Sequence, residues 1–194
     1  MRFSHIKTSI LEQFNAPHGH KIVPFILGAP GGGKSACARE VIQALDIPPS
    51  RVIEFTASLR DPVDVLGTPN NTGDYTRWVP PEEFYRIRRG QGASALILEE
   101  LSDAPIPMQN ALCGVIYDRR AGQLELSDQL YIIATGNRTE DKSGANRITS
   151  KLANRTRRFD FQENLDDWTE WALDNDIDPV LIQFLRFRPG LHPI

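Results

Sequence analysis

The stretch Gly28-Ala29-Pro30-Gly31-Gly32-Gly33-Lys34-Ser35 decides the fold of this chain. It follows a short apolar run at residues 22–27 and opens a helix-like pattern at residues 34–45. Because glycine has no Cβ atom, the backbone N–H groups of such a loop can turn inward around a phosphate. The helix that follows adds unpaired N–H donors and a favourable dipole. In this strand–loop–helix context the motif predicts a nucleotide-phosphate-binding loop.

Two side chains of the loop have predicted roles. Lys34 carries a positive charge to the β- and γ-phosphates of a nucleoside triphosphate. The hydroxyl of Ser35 is a predicted ligand of the Mg²⁺ ion that accompanies the nucleotide.

Apolar runs alternate with helix-like segments along the rest of the chain. Further strands are predicted at residues 52–56, 93–98, 130–135 and 158–161. Further helices are predicted at residues 4–14, 82–89, 107–119 and 165–173. This alternation is typical of βαβ units, so we expect a mostly parallel sheet between helices. Residues 61–81 fit least: their prolines, glycines and Asn70-Asn71 pair indicate a loop excursion with a hairpin near residues 70–73.

The composition limits the class of protein. The 194 residues are 40% hydrophobic and 24% charged, with a net charge of −3. This is an ordinary globular composition, and it argues against nucleic-acid or membrane binding through bulk basicity. No apolar run reaches the roughly 18 residues of a membrane helix, and no signal peptide is visible. Two cysteines, Cys37 and Cys113, are too few for a disulfide scaffold, and we expect a reducing compartment, the cytoplasm.

Two carboxylates, Glu99 and Glu100, follow the predicted strand at residues 93–98. If that strand neighbours the strand before the phosphate loop, its end lies beside the loop. Glu99 then holds Mg²⁺ through water, and Glu100 orients and polarises the water that attacks the γ-phosphate. Asp is the usual first residue of such a pair, so the longer Glu99 implies a different metal geometry or weaker hydrolysis. The alternative interpretation is a surface acid pair or a helix cap.

Asn137 ends the apolar run Tyr131-Ile132-Ile133-Ala134-Thr135-Gly136. An asparagine at this position can donate a hydrogen bond to the γ-phosphate or to the attacking water. A Gly-Asn pair is also an ordinary turn, so the prediction depends on its place after the first two motifs.

The order of four segments, GAPGGGKS, LILEE, IIATGN and LANRTRRF, resembles the AAA+ ATPases. Within them the chain is similar to the MoxR-like, dynein-related branch. Residues 99–105 (EELSDAP) are similar to its D-E-x-x-x-A-P stretch. Residues 64–69 (DVLGTP) and 78–81 (WVPP) are similar to its D-x-x-G-x-P and W-x-P-P segments. The resemblance covers residues 15–190.

This resemblance implies an α/β P-loop NTPase fold, with a five-stranded, mostly parallel sheet and ATP bound at a subunit boundary. It implies a homo-oligomeric ring, usually a hexamer, in which one subunit supplies an arginine to its neighbour's ATP. Arg155 best matches that arginine finger, with Arg157 and Arg158 next. The loop at His18-Gly19-His20 would lie near the adenine.

The domains implied are an ATPase core at residues 1–162 and a partial helical lid at 163–194. Relatives continue into a longer lid with a second sensor arginine, so we expect either a shortened lid or a fragment of a longer protein. Trp168 and Trp171 lie three residues apart in a helix-like pattern, which favours a packing role.

The function implied is ATP-driven remodelling or maturation of a protein client by a ring. A von Willebrand factor A-type partner is implied by the family, and the excursion at residues 61–81 is the candidate substrate-facing or pore-facing element. Two alternatives remain open. One is a small P-loop kinase or other phosphotransferase, and the other is a nucleotide-gated binding module that does not hydrolyse ATP because of Glu99.

Overall fold

The computed structural model describes residues 1–138 and 148–188. The helices are α1 (Phe3–Asn15), α2 (Lys34–Gln43), α3 (Val63–Leu66), α4 (Glu82–Tyr85), α5 (Ile106–Cys113), α6 (Ser150–Ala153), α7 (Leu165–Asp174) and α8 (Pro179–Phe187). The strands are β1 (Val23–Leu27), β2 (Val52–Thr56), β3 (Thr68–Thr72), β4 (Tyr75–Val79), β5 (Ser94–Glu99), β6 (Arg120–Ala121), β7 (Leu124–Glu125), β8 (Leu130–Gly136) and β9 (Thr156–Asp160). None of the helices in these two ranges has the length and apolar character needed to cross a bilayer.

Five strands form one parallel sheet in the order β2–β5–β8–β1–β9. The predicted α/β fold with a five-stranded parallel sheet is therefore confirmed. The condition we set for the acid pair is not met, because β8 separates β5 from β1. The strand between β5 and β1 is β8, which ends at Gly136, directly before Asn137. Since all five strands are parallel, their carboxyl ends still meet at one edge of the sheet.

Two hydrophobic clusters pack on the two faces of this sheet. Residues that alternate along a strand point to opposite faces, so Ile97 of β5 belongs to one cluster and its neighbours belong to the other. One cluster joins the sheet to α1 and α2 through Ile6, Ile10, Val41, Ile97 and Ile133. The other joins the sheet to α5 through Phe55, Leu96, Leu98, Met108 and Leu112. Burial of both faces explains why the central strands are almost continuously apolar in sequence.

Strand β1, which has a neighbour on each side, contains a proline. This is unusual because proline has no N–H to donate to a neighbouring strand. The N–H of Val23 donates to the carbonyl of Arg155 beside β9, at 3.0 Å. Alternate N–H groups face opposite neighbours, so the nitrogen of Pro24 faces β8. Paired residues of β1 and β8 begin only at Phe25, so Pro24 costs no bond in that ladder.

Several element boundaries differ from those predicted. The last strand begins at Thr156, two residues before the predicted start. The helix predicted at 82–89 ends at Tyr85, and the helix predicted at 107–119 continues after Cys113 as a π-helical turn (Gly114–Asp118). The predicted hairpin in the excursion is present as β3 and β4. A second hairpin, β6–β7, was not predicted, since strands of two residues carry no periodic pattern.

The turn of the β6–β7 hairpin packs directly on α3. Gly122 has a φ of 56°, and a Cβ atom at this position would lie 2.2 Å from the carbonyl oxygen of Leu66. Gly73 occupies the equivalent turn position between β3 and β4, with a φ of 69° and open space where its Cβ would be. The two glycines therefore share a backbone constraint, and only Gly122 also has a packing constraint.

We predict that Gly122→Ala lowers the free energy of unfolding more than Gly73→Ala does. The left-handed backbone should cost each variant about 1–2 kcal/mol, and overpacking against α3 should add about 1–3 kcal/mol for Gly122→Ala. Denaturant unfolding of the two variants and the wild type measures the difference. Equal losses would show that the β6–β7 turn does not rest on α3.

Candidate functional site

The phosphate loop connects β1 to α2, as predicted. Gly31 and Gly33 have φ values of 80° and 94°, in the left-handed region that side chains with a Cβ rarely adopt. The N–H of Gly28 donates to the carbonyl of Gly136 at 3.3 Å, which ties the start of the loop to the end of β8. The loop is therefore held at the carboxyl edge of the sheet, with α2 beginning at Lys34.

The Lys34 side chain folds back over this loop. Its Nζ donates to the carbonyl oxygens of Gly28 and Ala29, at 3.0 and 2.5 Å, and to Oδ1 of Asn137 at 3.1 Å. The loop lysine and the predicted sensor amide are thus in direct contact, although they lie 103 positions apart in the chain. The contact exists because β8 lies next to β1 in the sheet.

The turn after β5 supplies two polar side chains that the sequence analysis did not single out. The backbone N–H of Asn137 donates to Oγ of Ser102 at 2.7 Å, and its Nδ2 donates to Oδ2 of Asp103 at 2.8 Å. Burial raises the pKa of Asp103, and the negative charge of Glu100 raises it further, against the opposing effects of Asn137 and Lys34. The position of Asp103 within the EELSDAP segment was the available signal.

Glu99 lies largely buried at the end of β5, with 16% of its side chain exposed. Its Oε1 accepts from Nη2 of Arg39 at 3.2 Å, and its Oε2 lies 3.5 Å from Oγ1 of Thr56. Arg39 stands one helical turn after Ser35 on the same side of α2. The longer glutamate at this position therefore reaches toward Arg39, a partner that the sequence analysis missed.

Arg39 is itself held by Glu54 of β2. Its Nε and Nη2 donate to the two carboxylate oxygens of Glu54, each at 2.8 Å. This paired hydrogen bonding raises the pKa of Arg39 and lowers the pKa of Glu54. Such fork-like pairing fixes the guanidinium plane, so the contact with Glu99 is made by a side chain already held in position.

Glu100, the predicted water-activating residue, is exposed and has a φ of 54°. Its Oε2 accepts a hydrogen bond from Oγ of Ser58. A left-handed backbone at a residue with a Cβ is uncommon and concentrates at functional sites. The two carboxylates of the pair thus have different hydrogen-bond partners, Arg39 for Glu99 and Ser58 for Glu100.

Arg155 lies far from this edge of the sheet. It directly precedes β9, and its carbonyl is bonded to the first residue of β1, so it stands at the amino edge. Its exposed guanidinium lies 5.0 Å from the centre of the Tyr117 ring. Of the two runners-up, Arg157 stacks on Phe159 and Arg158 pairs with Asp160 at 2.8 Å.

A cavity of about 400 Å³ adjoins the phosphate loop. Four aromatic side chains line it together with the glycines of the loop: Phe3, Phe161, Trp168 and Trp171. Trp168 and Trp171 are half-buried and line this cavity, so their side of α7 faces it, and their packing role stays a prediction. Periodicity identifies such a face but does not tell a core from a cavity.

The start of α1 lies at this cavity, and the loop at His18-Gly19-His20 does not line it. The N–H of Phe3 donates to Oδ2 of Asp167 at 3.0 Å, and its ring lies 6.4 Å from that of Phe161. The His20 ring lies 5.9 Å from the ring of Tyr131, near the amino end of β8. The place of this loop near the adenine stays a prediction.

Glu163 also approaches the phosphate loop. A Cβ atom at Gly32 would lie 2.4 Å from Oε1 of Glu163, so this close approach calls for a glycine. Within residues 1–138 and 148–188, neither carboxylate oxygen of Glu163 has a hydrogen-bond partner, and both are buried. An acidic side chain thus packs against the loop that would hold phosphate.

Comparison with known families identifies the domain that carries these residues. Residues 24–156 match the model of the AAA domain (dynein-related subfamily). The chain belongs to this family. This confirms the dynein-related resemblance, and no curated protein matches the sequence.

Two solved structures are similar to this AAA domain in fold. NtrX from Brucella abortus is 19% identical with a TM-score of 0.54, and the alignment covers 87% of this chain and 39% of NtrX. A protein from Cytophaga hutchinsonii that is assigned as an ATPase is 15% identical with a TM-score of 0.51, covering 87% and 49%. The chain thus spans less than half the length of each.

The residues predicted to hold Mg²⁺ have suitable donors. Ser35 offers a hydroxyl oxygen and Glu99 a carboxylate, and Mg²⁺ prefers such oxygen ligands while keeping waters and binding substrate phosphates. Among the described residues no three His, Cys, Asp or Glu side chains form a cluster that could hold a metal alone. The donors therefore fit an ion that is bound together with a nucleotide.

We predict that Lys34→Ala abolishes measurable ATP binding to this AAA domain, because the phosphates lose the ammonium group held over the loop. Lys151→Ala, an exposed lysine on α6, is the matched control and should bind as the wild type does. Calorimetric titration, or quenching of the tryptophans beside the loop, measures the affinity. An affinity of Lys34→Ala within about threefold of the wild type would contradict the assigned role of the loop.

Proposed function

We propose that this AAA domain binds ATP with Mg²⁺, hydrolyses it, and works in a ring that remodels a protein client. The observation that carries the proposal is the contact between Nζ of Lys34 and Oδ1 of Asn137 at 3.1 Å. It brings the lysine for the β- and γ-phosphates next to an amide that can sense the γ-phosphate. Membership of the AAA family argues against the phosphotransferase alternative.

In the proposed mechanism the triphosphate lies along the loop, and its oxygens replace the carbonyls of Gly28 and Ala29 as partners of Lys34. Ser35, and Glu99 through water, would hold Mg²⁺, which would supply charge neutralisation to the phosphates. Glu100 leaves Ser58 and accepts a proton from the attacking water.

The nucleoside is proposed to occupy the aromatic cavity beside the loop. Its volume of about 400 Å³ is within the range of small-molecule sites. Phe3, Trp168 and Trp171 offer flat apolar surfaces on which a base can stack. Two of the three come from α7, in the proposed lid at residues 163–194, so nucleotide binding would join the lid to the core. Residues 189–194 of that lid lie outside the described residues.

The ring is proposed because Arg155 stands at the amino edge of the sheet, while the phosphate loop stands at the carboxyl edge. An arginine so placed cannot reach the phosphates of its own subunit. In a head-to-tail ring it could reach those of a neighbour. Hexameric rings are usual in the MoxR-like branch, which this chain resembles.

The proposed contact with a client is the β3–β4 hairpin. Tyr75, Trp78 and Val79 expose 70%, 41% and 42% of their surface on β4. Exposed aromatic side chains are enriched where proteins bind one another. A von Willebrand factor A-type partner is proposed from the family resemblance alone.

A cytoplasmic location is also proposed. Cys37 and Cys113 are both free thiols, which is compatible with a reducing compartment.

We predict that Arg155→Ala binds ATP as tightly as the wild type but hydrolyses it about 10³-fold more slowly, as expected for loss of an arginine finger. Glu100→Gln should also bind ATP and lose about 10²-fold in turnover, through loss of the water-activating carboxylate. Steady-state ATP turnover and ATP affinity are measured for each variant.

Mixing the two variants tests the ring itself. A site with intact Glu100 can then face an intact Arg155 from its neighbour, so part of the turnover should return. Lys151→Ala, at an exposed lysine on α6, is the matched control and should change turnover little. Failure of the mixture to regain activity would exclude Arg155 as the residue acting in trans, and Arg157 and Arg158 would be tested next.

One observation favours the non-hydrolytic alternative. Glu99 contacts Arg39, and Arg39 is held by Glu54, so the carboxylate needed for Mg²⁺ is already engaged by a cation. Nucleotide would then bind without turnover, and binding alone would alter contacts with a partner. Absence of ATP turnover by an assembled wild-type ring would establish this second function.

We predict that Arg39→Gln lowers the Mg²⁺ concentration needed for half-maximal turnover, by roughly twofold to fivefold, the scale of a partly exposed ion pair. Glu99→Asp should have a similar effect, because aspartate is one methylene shorter and does not reach Arg39. Combining the two changes should add little. Mg²⁺ titrations at fixed ATP measure this, and full additivity would show that Arg39 and Glu99 act independently.

A further inference from the structure

The turn that follows β5 connects the acid pair to the end of β8 through one carboxylate. Oδ2 of Asp103 accepts a hydrogen bond from Nδ2 of Asn137 at 2.8 Å. The same amide accepts from Nζ of Lys34 through its Oδ1, at 3.1 Å. Asn137 therefore lies between a carboxylate and an ammonium group.

These two partners determine which way the amide points. A carboxylate only accepts hydrogen bonds and an ammonium group only donates them. Rotating the Asn137 amide by a half turn would place its NH₂ against Lys34 and its oxygen against Asp103, and both contacts would be lost. Nδ2 carries two hydrogens, and within residues 1–138 and 148–188 Asp103 is the acceptor of one of them. In this orientation the second N–H of Asn137 could meet an acceptor on a bound nucleotide.

The position of Asp103 is itself fixed by bonds to the strand that carries Asn137. The N–H of Leu101 donates to the carbonyl of Thr135 at 2.9 Å. The N–H of Asn137 donates to Oγ of Ser102 at 2.7 Å. A Cβ atom at Gly136 would lie 2.7 Å from that same oxygen, so glycine permits this close approach. The turn and the strand end therefore form one bonded unit.

We propose that Asp103 is a positioning residue that orients the Asn137 amide toward the γ-phosphate. This inference rests on the proposed nucleotide function and adds a residue to its γ-phosphate sensor. Asp103 does not itself contact the nucleotide. Its effect should therefore be confined to ligands that carry a γ-phosphate, which a general loss of structure would not reproduce.

The test compares the dissociation constants of ADP and ATPγS for the full chain. Asp103→Leu removes the acceptor, so ATPγS should bind about fivefold to tenfold more weakly, the range for one lost hydrogen bond, while ADP changes by less than about twofold. Asp103→Asn keeps an acceptor oxygen and should bind both ligands nearly as the wild type does. Asp128→Leu, an exposed aspartate before the amino end of β8, is the matched control.

A double-mutant cycle with Asn137→Ala gives the decisive outcome. In that background Asp103→Leu should have no further effect on ATPγS, because no amide remains to orient. Undiminished loss in that background, or equal losses for ADP and ATPγS, would overturn the proposal. If Asp103→Asn weakens ATPγS as much as Asp103→Leu does, the charge matters rather than the orientation, and the proposal is also wrong.

Two further controls separate the possible failures. A thermal unfolding curve is recorded for each variant, and if Asp103→Leu does not fold, Asp103→Ala carries the same expectation. If the wild type binds neither ADP nor ATPγS while Lys34→Ala is indistinguishable from it, the proposed function fails. If the wild type binds both and the Asp103 variants match it, only the role of Asp103 fails.

Discussion

The insertion of β8 between β1 and β5 is the constraint on which the rest of the structure depends. The parallel strands end at one edge, where three of them carry different chemical groups, and the insertion places the end of β8 between the other two. The loop after β1 carries Lys34, the end of β8 carries Asn137, and the end of β5 carries the acid pair. Because β8 is central, its amide contacts the loop on one side and the turn after β5 on the other. In a sheet with β5 beside β1, the strand end that carries Glu99 and Glu100 would lie next to the loop that carries Lys34, and Asn137 would not lie between them.

The sequence predicted the features that depend on local pattern. Buried strands appear in the sequence as short apolar runs, and a run of glycines predicts a loop with left-handed backbone angles. The five-stranded sheet and the path of the loop between β1 and α2 were therefore correctly predicted. Contacts between distant side chains were not predictable in this way. Arg39 meets Glu99 across 60 positions and Asp103 meets Asn137 across 34, and neither pair has a local signature. The place of Phe3 was equally unpredictable, because only the folded path of α1 brings it to the cavity.

Arg39 and Glu54 accommodate the longer side chain of Glu99, which stands where aspartate is usual. The carboxylate of Glu99 reaches Arg39, which stands one helical turn after Ser35 on α2, and an aspartate would be one methylene shorter. Glu54 neutralises Arg39, so the cluster adds no net positive charge beside the phosphates. The energetic cost of drawing Glu99 toward the metal is therefore that of one partly exposed ion pair, which is small. Glu99 therefore keeps an oxygen donor that the proposed metal site could use.

The balance of charge around the loop gives an independent argument for help from outside the subunit. Glu99, Glu100, Asp103 and Glu163 all lie around the phosphate loop, and among the described residues Lys34 folds over the loop, Arg39 contacts Glu99 and Arg138 donates to the carbonyl of Phe161. A triphosphate would bring further negative charge into this acidic setting, and desolvation at the aromatic cavity would strengthen the repulsion. Mg²⁺ would relieve part of it, and a further cation near the γ-phosphate would offset the charge that develops there if the proposed hydrolysis takes place. Arg155 stands at the opposite edge of the sheet and cannot supply that charge in cis. An assembly that presents the amino edge of one sheet to the carboxyl edge of the next would bring Arg155 to that group, which is the electrostatic reason behind the proposed ring.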